Sequence, residues 1–309
     1  MKAALIRQFG SPSEIVIADV PQPEPAAGQV LVRVKAAGVG PWDALIREGK
    51  SVVNPPLPLI LGSDFSGVVE LAGSGASDFK PGDEIYGATN PQFIDAYAEF
   101  ACTSAKMIAR KPANLTYLQA ASAPVVAVTA SQILFEYAHA VAGQTALIHG
   151  AAGNVGAYAV QLAKNAGLHV IATAASRDAA YVRSLGAEKI VDYEDARFEE
   201  AVPPVDIVVD TIGGEVRERS LRVLNPGGIL VSVASPIPQE MAQRYGDRVI
   251  FFLVEVTTSR LNAIAALFDS GELMAQVGTV LPLDQARRAH EMLAGAPHAR
   301  GKIVLKIAE

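Results

Sequence analysis

Residues 145–167, TALIHGAAGNVGAYAVQLAKNAG, constrain the fold more than any other stretch of the chain. An apolar run, Ala146 to His149, stops at Gly150, and Gly153 and Gly156 come next at three-residue steps. Beyond them Val155, Ala159, Leu162, Ala163 and Ala166 recur on one helix face, and Gly167 stands where a helix C-cap belongs. The pattern is strand, tight turn, helix. Glycine reaches backbone angles closed to other residues and lets the chain lie against a ligand with no Cβ between. The helix N-terminus adds free N–H groups and a positive dipole end, which suit a dinucleotide pyrophosphate. The spacing G-x-x-G-x-x-G departs from the common G-x-G-x-x-G fingerprint, so the turn alone also fits a ligand-free connection. The further strand–helix units downstream of Gly167 favour the dinucleotide.

Strands are expected at 145–149, 169–173, 189–192, 206–210 and 229–233, with helices at 155–166, 177–185 and 215–224. This alternation implies a Rossmann-type, doubly wound parallel sheet in an α/β protein. The run 249–256 is expected to add a strand; left on an open edge, it would invite pairing with a second chain. Residues 1–114 read differently. Short strands at 15–20, 30–36, 67–71 and 98–102, punctuated by proline and glycine, with one helix at 42–48, suggest a partly open barrel. A helical stretch, 118–142, is broken near Pro124; 261–268 and 286–293 look helical, and the alternating strand 301–307 returns to the first domain. At 309 residues two domains are expected.

The end of the second Rossmann strand discriminates between cofactors. An acid about 20 positions beyond the glycines would hold the adenosine ribose of NAD. Counting 176 − 156 gives 20, and the local sequence is Thr173-Ala174-Ala175-Ser176-Arg177-Asp178. No acid ends that strand, and Asp178 comes late enough to sit in a helical turn. Ser176 and Arg177 suit a ribose 2′-phosphate, through a hydroxyl hydrogen bond and a guanidinium fork. NADPH is the expected cofactor; the competing reading has Ser176 as a cap and Arg177 solvated.

Composition excludes several function classes. Half the residues are hydrophobic, 19% are charged and the net charge is −6, which argues against nucleic acid or an acidic membrane surface as partner. The single cysteine, Cys102, rules out an intrachain disulfide and points to a reducing compartment. The N-terminus is interrupted by Arg7 and Gly10 before a signal-peptide core can form, and the apolar run 249–254 is far short of the roughly 20 residues that span a bilayer. A soluble, cytoplasmic protein is expected.

The motifs GVGPWDALIREG (38–49), LILGSDFSGVVELAG (59–73), KPGDEIYG (80–87), VTA (128–130), LIHGAAGNVGAYAVQLAK (147–164), DTIGG (210–214) and NPGGILVSV (225–233) resemble the zinc-independent quinone oxidoreductase, or zeta-crystallin-like, branch of the medium-chain dehydrogenase/reductase superfamily. The resemblance covers nearly the whole chain. It implies a barrel-like (GroES-like) substrate domain from 1–118 and 257–309, a dinucleotide domain from 119–256, and an active site in the cleft between them. It implies that Gly150, Gly153, Asn154, Val155 and Gly156 form the pyrophosphate turn and that Tyr193 packs beside the adenosine phosphate. Thr129 and Phe252, Leu253 and Val254 would approach the nicotinamide end. Relatives pair through the late strand, so a homodimer is expected. Two departures stand out: Gly40 replaces the usual asparagine, and Lys50-Ser51 replaces a region that often holds tyrosine, with Trp42 nearby.

A catalytic zinc needs three side-chain ligands. One cysteine and five scattered histidines offer no such set, and Gly62-Ser63-Asp64 stands where zinc-dependent relatives have Gly-His-Glu. No metal is expected. Hydride must then go to an acceptor that needs no Lewis acid, such as a quinone or an activated enone. No acid–base residue is evident; Asp43 and Tyr86 are the nearest candidates, and Tyr86 fits packing equally well. Two alternatives are a specific enoyl or alkenal double-bond reductase and a non-catalytic, NADPH-binding crystallin-like protein.

Overall fold

Short β-branched runs, separated by proline and glycine, build the first part of the chain: β1 (Lys2–Ile6), β2 (Val16–Asp19), β3 (Gln29–Val39), helix α1 (Pro41–Arg47), β4 (Leu59–Ile60), β5 (Asp64–Ala72), β6 (Glu84–Ala88), β7 (Phe100–Ser104) and β8 (Ile108–Arg110). Helices α2 (Tyr117–Ala121) and α3 (Pro124–Ser131) come next, the latter running into a π-helical turn at Gln132–Tyr137. Alternation then sets in: β9 (Thr145–Ile148), α4 (Asn154–Asn165), β10 (His169–Ala174), α5 (Ala179–Ser184), β11 (Lys189–Asp192), α6 (Phe198–Ala201), β12 (Val205–Asp210), α7 (Gly214–Ser220), β13 (Leu224–Ser232), α8 (Gln239–Tyr245) and β14 (Val249–Phe251). Last come α9 (Thr258–Asp269), β15 (Val277–Pro282), α10 (Ala286–Leu293) and β16 (Lys302–Lys306). The computed structural model describes residues 1–53 and 55–308. It divides into two units, Met1–Val125 with Val256–Glu309, and Val126–Glu255. The passage out of the first unit falls after Val125 because α2 packs on β3, β5 and β16, with Ala121 buried against Ala36 and Val304.

In the first unit the long strand β3 is the spine. It pairs antiparallel with β5, β7 and β16, and the sheet runs β15-β16-β3-β5-β6-β8. A smaller sheet, β2-β1-β4, joins it through a bridge between Ala3 and Ala98. Register shifts between Leu31 and Val32 and between Val34 and Ala36 bend β3, as bulges do in barrel walls. Inward side chains of alternate residues, among them Val30, Val32, Val34, Phe65, Ile85, Tyr97 and Ile303, fill the interior.

The second unit is one parallel sheet in the order β11-β10-β9-β12-β13-β14. The chain steps outward from β9 through β10 to β11, then returns to β12 on the other side of β9. The switch point therefore lies between β9 and β12, where doubly wound sheets bind ligands at their carboxyl ends. Leu147, Ile171, Val208 and Leu230 form its buried layer. The strand expected over 249–256 ends early. Only Val249–Phe251 pairs with β13, and the ring of Phe252 leaves the ladder to stack on Tyr137 at 4.2 Å.

Candidate cofactor site

At the switch point, β9 leads through His149 into Gly150, whose φ of +65° lies in the left-handed region that favours glycine. A Cβ there would stand 2.4 Å from Thr211 Oγ1. Gly153 caps α4, and its N–H donates to Gly150 O at 2.9 Å, closing the turn. Gly156 lies on the buried face of the first helical turn, where a Cβ would come 2.2 Å from that same carbonyl. The helix can approach the strand this closely only with no side chain at 156. Asn154, Val155 and Gly156 therefore present first-turn N–H groups beside a backbone cradle, and the cradle fits a pyrophosphate. Below the turn, His149 is buried and its Nε2 lies 2.8 Å from Ser220 Oγ and its Nδ1 3.0 Å from Thr173 Oγ1. Since Ser220 donates to Val216 O, His149 Nε2 carries the proton and Nδ1 accepts from Thr173. Burial lowers its pKa to about 4, so the ring is neutral under the turn.

The exit of β10 adds two acids that the sequence reading did not include. Ser176 and Arg177 do lie just beyond β10, exposed to solvent. But β10 and β11 are parallel with Ala174 opposite Asp192, which brings an acid from the next strand to this edge. Ser176 Oγ donates to Asp192, and Arg177 donates to Glu194 Oε1 at 2.9 Å. Glu194 N–H in turn donates to Asp192 Oδ1 at 2.8 Å. The Ser176 hydrogen bond holds the Asp192 carboxyl below its usual range. Tyr193, between the two acids, is 55% exposed, which leaves its ring face open. Counting along one strand could not find Asp192; the register of the neighbouring strand does.

The exits of β12 and β13 carry a network that sequence reasoning missed. Asp210 accepts from Ile212 N and Gly213 N through one oxygen and from Arg217 Nε at 2.8 Å through the other. Arg217, 2% exposed, also donates to Ser232 Oγ, Ser235 Oγ and the carbonyls of Ser235 and Pro236. One guanidinium thus ties both strand ends. Burial works against the Asp210 charge, yet Arg217 and the two N–H donors keep its pKa below the ordinary value. Thr129 is nearly buried on α3. Phe252 is buried, Leu253 is 61% exposed and Val254 is intermediate, all just beyond β14.

In the first unit, Asp43 and Tyr86 are both fully buried. Tyr86 donates its phenolic proton to Leu261 O at 2.6 Å, which ties β6 to α9 in a packing role. Asp43 Oδ2 accepts from Gly40 N at 2.8 Å and Tyr97 Oη at 2.9 Å, capping α1. Burial raises its pKa to about 7, against the pull of the Gly40 N–H and Lys302. Asp64, from the Gly-Ser-Asp segment, pairs with buried Lys302 at 2.9 Å, and the Lys302 ammonium stands 4.1 Å from the Trp42 ring centre. Trp42 donates to Ser63 Oγ at 3.0 Å. This explains Gly40: a Cβ there would lie 2.4 Å from the indole. The indole occupies the space that an asparagine side chain would need. Among the described residues, no three His, Cys, Asp or Glu side chains converge as a metal site requires.

The parallel sheet, its glycine cradle and the separate β-rich unit define a Rossmann-type oxidoreductase with a GroES-like domain. Matches to known proteins agree. An alcohol dehydrogenase GroES-like domain matches residues 26–134, and a zinc-binding dehydrogenase domain matches 185–305. Quinone oxidoreductase of Mus musculus is 30% identical, over 99% of this chain and 97% of its own length. The chloroplastic NADPH-dependent alkenal/one oxidoreductase of Arabidopsis thaliana is 31% identical, over 99% and 79%. The solved quinone oxidoreductase from Coxiella burnetii superposes with a TM-score of 0.92 at 36% identity, covering 100% of this chain and 99% of the other. The chain belongs to the medium-chain dehydrogenase/reductase family and is an enzyme, an oxidoreductase with quinone oxidoreductases among its relatives. Among the described residues, no helix is long and apolar enough to cross a membrane.

Proposed function

We propose that this protein is an NADPH-dependent, metal-independent reductase of quinones or activated enones. The observation that carries the reading is the Gly150–Gly156 cradle at the β9/β12 switch point, whose space a single Cβ would fill. Bound there, NADPH supplies a hydride to an electron-poor carbon. The N–H groups of Asn154, Val155 and Gly156 hold the pyrophosphate; Ser176, Arg177 and Tyr193 receive the adenosine phosphate. Thr129 and Phe252, Leu253 and Val254 line the nicotinamide end. Asp43 and Tyr86 are engaged inside the first unit, so neither is given a catalytic role, and the proton that completes enone reduction comes from water. Quinones and enones suit such a site because the anion formed on hydride uptake is delocalised within the substrate. The 31% identical alkenal/one oxidoreductase keeps the narrower double-bond reductase reading as the second choice.

A homodimer belongs to the same proposal. β14 ends the sheet order with one in-chain neighbour, which leaves its outer edge for a second copy. Cytoplasmic residence and the absence of nucleic acid as a partner complete the reading, supported by the net charge of −6 and the single cysteine. An acceptor screen monitoring NADPH oxidation tests the function. Turnover with small quinones or enones is expected; tight NADPH binding with no turnover across the panel would favour the non-catalytic alternative.

A further inference from the structure

The two residues that suit a ribose 2′-phosphate are already held by carboxylates from the neighbouring strand. Asp192, the last residue of β11, accepts a hydrogen bond from the Ser176 hydroxyl. Glu194, two residues on, takes one arm of Arg177 at 2.9 Å. Both members of the Arg177–Glu194 pair are largely exposed, at 68% and 49% of the side chain, so a ligand can compete for the guanidinium. A 2′-phosphate carries nearly two negative charges and needs Arg177. A phosphate therefore competes with Glu194 for the guanidinium and meets the charge of Asp192 nearby. The ribose 2′-hydroxyl of NADH meets the opposite environment, since Asp192 can accept its proton as it now accepts that of Ser176.

We infer that Asp192 and Glu194 set the cofactor preference of this enzyme, opposing the 2′-phosphate and supplying an acceptor for a free 2′-hydroxyl. The site then uses both nicotinamide nucleotides, with Arg177 favouring NADPH and the two acids narrowing the margin. The inference rests on the proposed NADPH reading and assigns the specificity-determining residues within it. The juxtaposition comes from the sheet itself. Parallel pairing of Ala174 with Asp192 sets the two strand exits side by side.

The adenosine end can be read without turnover, by calorimetric titration with 2′,5′-ADP and 5′-AMP, which differ only in the 2′-phosphate. Glu194→Gln should tighten 2′,5′-ADP about ten-fold and leave 5′-AMP within about two-fold, because one repulsive charge and one competitor for Arg177 are gone. Asp192→Asn should tighten 2′,5′-ADP several-fold and weaken 5′-AMP, moving the two ligands in opposite directions. The effect on 2′,5′-ADP should shrink as salt rises. Both substitutions are at exposed or half-exposed sites, and unchanged melting temperatures would confirm intact folds. If both ligands shift together, or their ratio stays within about two-fold of the parent in both variants, the inference is overturned. Arg177→Ala separates it from its premise. A selective loss of 2′,5′-ADP with silent acid variants overturns the role of the acids alone. Equal losses of both ligands overturn the phosphate reading and this inference with it.

Discussion

Gly153 and Gly156 look equivalent in the sequence, yet the structure separates them. A Cβ at 153 would stand 3.1 Å from Gly150 O, a contact that small shifts relieve, whereas at 156 it would come within 2.2 Å of the same atom. Gly153→Ala should therefore keep NADPH affinity within a few-fold, and Gly156→Val should cost at least about a hundred-fold by prising α4 off β9; fluorescence titration reads both. Asp43 gives a pH prediction. Its carboxyl titrates near 3.8 when unfolded and at about 7 in the fold, so its contribution is fully present below 3.8 and is lost as pH rises through 7. Relative to the parent, Asp43→Asn should gain about 3 kcal/mol of stability between pH 5 and 8 in urea melts. A pH-independent difference would show that Asp43 is ionised throughout. The comparison must be a difference between variants, because neutral His149 and His290 act oppositely: their lowered values, about 4 and about 3, withdraw stability as pH falls from 6.5. The glycines were legible because steric need writes itself into residue type. Asp192 and Arg217 were not, since their partners belong to other elements: Ser176 just beyond β10, and Asp210 and Ser232 at the ends of β12 and β13.

Strands and helices were legible where their hydrophobic period was long, as in α4, and less so where tertiary contacts cut them short. β14 stops at Phe251 because Phe252 finds a better partner in Tyr137 than in the ladder. The return of β16 to β3 was readable from its alternation, but not the ion pair that anchors it. Lys302→Met leaves Asp64 buried without its cation and should cost about 3–5 kcal/mol in a denaturant melt. Adding Asp64→Asn should recover much of that loss, since Asn can still accept from Val125 N. No recovery would mean that Lys302 contributes by packing under Trp42 rather than by charge. At the other sheet, Ile250→Lys on the edge strand should convert a dimer to a monomer by light scattering; a parent that is already monomeric would refute the proposed assembly.

Two units of different architecture serve one chemistry in this reading: the parallel sheet holds the nucleotide, and the β-rich unit carries the buried Asp43, Asp64 and Lys302 cluster. The family was legible in the sequence because its motifs are spread along nearly the whole chain. The acceptor was not, because a pocket for a planar, weakly polar molecule needs shape more than particular side chains. The most direct test compares kcat/KM for a small quinone, an activated enone and a secondary alcohol, using one preparation dialysed exhaustively against chelator. Quinone and enone reduction by NADPH should survive chelation and exceed alcohol oxidation by NADP⁺ by at least about a thousand-fold, since the described residues offer no three-ligand site for a cation that would stabilise an alkoxide. Alcohol oxidation that outruns both reductions, or activity that returns only with one zinc per chain, would contradict it.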